Sequence, residues 1–263
     1  SPNLRYAAGS RMCFIVQCID STQRAAYRLY PNQIGSGAMT YKLLIGQRIY
    51  SSWSLRGWLP FVVHDIPVTV QDTLIYGDAF YDDVVSFGGH RTVPAVITPE
   101  GAILTDSLSI VWHLANAFPD RGMLPADKIA NAKAINMMSE MHSGFTALRS
   151  ACPMNLATAW NGFAPDEAVR GDLARIDELW TDALAQSQGP FLFGEYGLAD
   201  AYFAPVAIRI AGYDLPMSDT SRAYVTAQLT HPAIQQWHED GLSNDTELGQ
   251  YEMPLTRKPF PKR

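Results

Sequence analysis

YKLLIGQRIYSSWSLRGWLPFVV, residues 41–63, passes from an apolar run of strand length, through a loop holding Ser51, Ser52 and Ser54, into a segment of helical spacing. Leu55, Trp58, Leu59 and Val62 recur at that spacing, with Pro60 expected to bend the helix or loosen a turn. The next stretch, PVTVQDTLI, returns to β-branched alternation, so residues 41–75 read as a βαβ unit. Serines at a helix start are first of all candidate N-caps. They also lie at the carboxyl end of a strand, where open α/β folds place ligands and where helix N–H groups favour an anion.

Working outward, residues 76–89 form a polar connection, a loop or a short helix. VPAVITPEGAILTDS then supplies two short β-rich pieces around the turn composition Thr98-Pro99-Glu100-Gly101. Leu108, Val111, Trp112, Ala115 and Phe118 define one face of the helix that follows. After the linker FPDRGMLPAD the strand signals stop. Residues 126–151 read as one long helix, 166–186 as a second and 198–211 as a third. The expected fold is therefore an α/β unit of order βαβ–ββα followed by an all-α unit. Its expected bounds are 39–119 and 126–240, with an irregular tail at 241–263.

Residues 1–38 stand apart. Arg5, Arg11, Arg24 and Arg28 against Asp20 give them a local charge of +3, which leaves −9 on residues 39–263 of a chain whose net charge is −6. The apolar patch MCFIVQCI resembles a weak signal or transit segment without a small-residue cleavage site. We read residues 1–38 as a poorly ordered extension and Met39 as the start of the functional unit.

The acidic balance, with no lysine- and arginine-rich run, argues against nucleic acid as a partner. No apolar run approaches the roughly 20 residues that cross a bilayer, so no membrane partner is expected. Cys13, Cys18 and Cys152 make no metal or redox pair, which points to a reducing, cytoplasmic setting. No two of the six histidines have i, i+4 zinc spacing, so no metal is expected. A G-x-S-x-G elbow is absent, and GSGAMT lacks the rest of a dinucleotide fingerprint.

Three short motifs point to one ligand. Ser51 and Ser52 could face a thiol. Pro94, after Val93, could turn the Val93 backbone toward an extended peptide if the bond is cis, and the sequence leaves the isomer open. Asp106 and Ser107 open the next helix, where they either cap it or hold the amino-acid end of a ligand. Glutathione would satisfy all three.

With these motifs in hand, residues 41–240 resemble the glutathione transferase family. YSSWSLRGWL is similar to the serine loop and first helix of the zeta and tau classes, with Ser51 five residues before Arg56; TVPAV is similar to the family's cis-proline strand, and DSLSI to its motif for the γ-glutamyl end. FLFGEYGLADAYFAPV resembles the capping signature of the second domain, with Gly197 in place of Ser or Thr and Asp200 three residues on. The resemblance implies a thioredoxin-like first domain, a helical second domain, a homodimer, and glutathione as co-substrate. It implies conjugation of small hydrophobic electrophiles, as in detoxification, with a glutathione-dependent isomerase or peroxidase, or a non-catalytic binding module, as alternatives. Ser51 would stabilise the thiolate with help from Ser52, and Arg91 would take the glycine carboxylate. Met141, His142 and Phe145 would line the electrophile pocket. Trp53 replaces the zeta-class cysteine, which argues against the isomerase activity typical of that class and against mixed-disulfide chemistry.

Overall fold

The computed structural model describes the backbone of residues 27–29 and all of residues 40–88, 91–187 and 189–261. The expectation of a poorly ordered segment at 1–38 falls almost entirely outside the described residues. The exception is Tyr27–Leu29 (β1), which pairs antiparallel with the strand Val68–Asp72 (β3).

Tyr41–Ile45 (β2) lies parallel to β3, and the connecting helix Ser52–Val63 (α1) makes the expected βαβ unit. Ala95–Ile97 (β4) pairs antiparallel with β2, and Ile103–Leu104 (β5) with β4, giving the sheet order β1-β3-β2-β4-β5. The hairpin closes at Thr98-Pro99-Glu100-Gly101, where Gly101 has φ 89°. The polar connection after β3 contains a short helix, Phe80–Ser86 (α2), and the unit ends with Ser107–Ala117 (α3). This is a thioredoxin-like α/β arrangement with a mixed sheet, followed by a helical half.

That half contains Lys128–Ser143 (α4), Thr146–Ala151 (α5), Glu167–Gln186 (α6), Leu198–Tyr213 (α7), Asp219–Thr230 (α8) and Pro232–Asn244 (α9). The long helix expected over 126–151 is broken. Gly144 lies so close to Glu140 O that a Cβ would stand 2.7 Å from it, and Phe145 takes φ 54°, so the chain turns before α5. The tail is also more regular than its composition suggested. Thr256–Pro259 (β7) pairs antiparallel with Thr158–Asn161 (β6), a ribbon that alternation alone did not reveal.

Helix α7 is the central post. It packs against α1, α4 and α8, and Ala211 is its one residue that is not buried. Apolar on all sides, it joins both halves in one continuous core that includes Trp58, Trp180, Phe203 and Trp237. Asp200 caps it from within, accepting from the N–H groups of Gly197 and Leu192 and from the Tyr224 hydroxyl. Among the described residues no helix is long and apolar enough to cross a membrane.

Candidate functional site

The turn from β2 into α1 is tight because Gly46 has no side chain. A Cβ there would stand 2.7 Å from Ile75 Cγ2, 3.2 Å from Val93 Cγ2 and 3.4 Å from Ser51 Cβ. Ser51 caps α1 by accepting from the Ser54 N–H at 3.3 Å, while its hydroxyl donates to Ser54 Oγ at 2.7 Å. Ser54 Oγ in turn accepts from the Gly46 N–H at 2.9 Å. Ser52, the first helical residue, has no hydrogen-bond partner for its hydroxyl among the described residues. Besides capping α1, Ser51 lines a cleft.

The Val93–Pro94 peptide bond is cis. Helix α1 reaches it through Gly57, whose absent Cβ would lie 2.7 Å from Pro94 Cγ. The cleft, about 880 Å³, opens between this strand end and the helical half. Ser51, Ser52 and Trp53 form its floor, and Arg91, Thr92 and Val93 one side. Tyr76, Phe80 and Tyr81 close the rim after β3. Thr146, Arg149, Ser150, Met154 and Arg209 form the facing wall, completed by Gln250 and Tyr251 of the tail.

The structure thus brings Ser51, Ser52, Arg91 and Val93 to one space, with Pro94 buried behind them. Asp106 and Ser107 are spoken for by the protein. Asp106 Oδ1 caps α3 through the N–H groups of Leu108 and Ser109, and the buried Ser107 hydroxyl lies 3.2 Å from the Tyr202 hydroxyl. Asp106 Oδ2 does no capping and lies 3.6 Å from His142 Nε2. The placement of Met141, His142 and Phe145 differs from expectation. Met141 and Phe145 are buried in the core, and His142 sets its ring nearly perpendicular to that of Trp53, with centroids 5.5 Å apart.

Charge at the site is positive. Arg56, fully buried, stacks on Trp53 at 4.2 Å and Tyr202 at 5.5 Å, with no hydrogen-bond partner for its guanidinium among the described residues. Burial lowers its pKa to about 9, which leaves it protonated at neutral pH. Arg149 also lies over the Trp53 ring, at 5.1 Å. Sequence reasoning missed Arg149, Arg209 and Tyr251. A lone arginine in the apolar run of α7 was the one legible signal; the other two depend on the helix break and on the return of the tail.

A model of the glutathione S-transferase N-terminal domain matches residues 50–117. Glutathione S-transferase GstA of Escherichia coli O157:H7 is 35% identical over 174 residues, 62% of this chain and 78% of the relative. The chain belongs to the glutathione S-transferase family. A maleylacetoacetate isomerase of Pseudomonas aeruginosa is 27% identical over 157 residues, 56% of this chain and 70% of that relative. Among solved structures, a glutathione transferase homologue from Burkholderia gl BGR1 with bound glutathione superposes with a TM-score of 0.60 at 18% identity, over 78% of this chain and all of that one. At that identity the likeness shows the glutathione transferase fold.

Proposed function

We propose that the protein is a glutathione transferase in which the Ser51 hydroxyl holds the glutathione thiolate at the N-terminal end of α1. The observation that supports this most is the meeting of Ser51, Ser52, Arg91 and the Val93 backbone around a single cleft beside a cis proline. A free thiol titrates near about 8.5, so at neutral pH it needs an environment that favours the anion. The α1 terminus offers one, with Arg56 buried one turn in. If the Ser54 hydroxyl rotates to donate to Ser51 Oγ, the Gly46 N–H, Ser54 and Ser51 form a chain that points the Ser51 proton at sulfur.

In this reading Arg91 takes the glycine carboxylate, and the Val93 N–H and C=O pair with the cysteinyl backbone. Asp106 Oδ2 takes the ammonium of the γ-glutamyl end, next to Ser107 and the α3 N-terminus. The sulfur then attacks a small electrophile in the cleft. Ser51→Ala should lower the rate of conjugation by about tenfold or more with glutathione affinity little changed. Unchanged turnover would defeat the assignment, and a loss on Ser52→Ala alone would move it to Ser52.

A second reading, a glutathione-dependent isomerase, is favoured by the Pseudomonas aeruginosa relative. It uses the same thiolate but returns it, so substrate would be converted with no net loss of glutathione. A cytoplasmic homodimer serving detoxification completes the proposal. Sedimentation of the full chain as a monomer would remove the dimer.

A further inference from the structure

The helical side of the cleft carries charge as well as the apolar surface of Pro153 and Met154. Arg149 and Arg209 both line it, and among the described residues that surround the cleft there is no aspartate or glutamate. Arg209 is 6% exposed. It is held by bonds from Nε to Cys152 O at 2.8 Å and from one terminal nitrogen to Pro205 O at 3.1 Å, and its remaining donors have no protein acceptor among the described residues. Arg149 is anchored in the same manner, donating from one terminal nitrogen to His142 O at 3.2 Å and Gly144 O at 3.1 Å. Two guanidiniums are thus aimed by backbone carbonyls, which fix position and supply little countercharge.

The nearby carboxylates have roles other than pairing with these two arginines. Asp106 caps α3, and Glu252, next to the cleft residue Tyr251, pairs with Arg257. Burial, and after it the positive charge of Arg149, lowers the pKa of Arg209 to about 10, and burial lowers that of Arg149. An anion between them would relieve that repulsion and satisfy the open donors. The glutathione carboxylates have other places in the reading above, at Arg91 and at the α3 terminus.

We propose that Arg149 and Arg209 form an anion subsite on the helical wall of the cleft, which selects a second substrate that bears a carboxylate as well as an electrophilic carbon. The inference rests on the transferase reading for the identity of the first substrate. It replaces a purely hydrophobic electrophile with an acidic one. In the reaction the C–S bond forms as the bond to the leaving group breaks, the leaving group departs with its electron pair, and the thiol proton has already passed to solvent.

The test uses the full chain with S-methylglutathione, which fills the tripeptide site and cannot react. Calorimetric titration then compares 4-chloro-3-nitrobenzoate with its methyl ester. The carboxylate should bind about tenfold tighter or more than the ester, as a charge-assisted pair allows. In Arg149→Gln that ratio should fall to about threefold or less, and Arg149→Lys should recover part of it. Equal binding of acid and ester by the wild type overturns the proposal, even if the variants do not fold. So does a ratio unchanged in Arg149→Gln, or a carboxylate that S-methylglutathione displaces, since the tripeptide would then own the arginines. Turnover of the two probes with glutathione separates this inference from its premise. Chloride release from neither, with the binding preference intact, keeps the subsite and defeats the transferase reading.

Discussion

Replacing Ser51 by alanine removes both a helix cap and the hydroxyl that we propose holds sulfur, whereas glycine removes the hydroxyl and keeps most of the cap. Alanine at an N-cap costs about 1 kcal/mol and glycine a few tenths. Ser51→Gly should therefore unfold at nearly the wild-type denaturant concentration while losing as much conjugation rate as Ser51→Ala. Parallel losses of stability and rate across the two variants would reduce Ser51 to a cap. Arg56 makes a complementary case, because its guanidinium is buried with no hydrogen bond among the described residues and lies over the faces of Trp53 and Tyr202. Arg56→Met should leave stability near the wild type, since an apolar side chain escapes the desolvation of an unpaired charge. It should also move the thiol titration of bound glutathione to higher pH, read by thiolate absorbance. An unmoved titration would show that the cation does not act on sulfur.

Helix α1 can meet the cis proline only through a gap in its own surface. Gly57→Val should push the helix off Pro94, because even the first carbon of the new side chain overlaps that ring. We expect a loss of about 1–3 kcal/mol in stability together with weaker glutathione binding, both measurable by thermal shift with and without the tripeptide. Helix α7 carries its own pH dependence. Burial raises the pKa of Asp200 to about 6, above its unfolded value near 3.9. The stability associated with the neutral carboxyl is complete below about pH 4 and is lost as pH rises through about 6. Asp200→Asn should be less stable overall, since an amide cannot accept all three bonds, yet its unfolding free energy should fall less than that of the wild type over this range. Identical slopes would refute the assignment. These elements also show what a sequence can convey. The βαβ unit, the hairpin and α7 were legible because period and turn chemistry are local. The split of the long helix was hidden because Gly144 and Phe145 act through a backbone contact with Glu140 and a left-handed turn. Arg149, which lines the cleft, lies beyond that split, while Met141 and Phe145 are buried in the core.

At the scale of the molecule, the site is assembled from distant parts of the chain. The tail crosses back to the β2–α1 loop, where Asp245 accepts from the Ile49 N–H at 2.7 Å, Gln47 donates to Thr246 O, and the Leu248 N–H donates to the Tyr50 hydroxyl. Tyr251 then lays its ring 4.5 Å from that of Tyr50, and β7 fastens the tail to β6. Deleting residues 245–263 should leave the helical circular dichroism largely intact while raising the KM for the second substrate more than that for glutathione. A wild-type KM for both would show that the tail does not shape the cleft. The bonds that anchor this strap join residues nearly 200 positions apart. Contacts of such sequence separation form late, after the loop-closure entropy has been met by other structure. A chain emerging from the ribosome therefore presents its serines, its cis-proline strand and its arginines long before the last wall arrives. Refolding followed by two clocks should show the same order, with helical signal returning first and turnover of the second substrate lagging behind it.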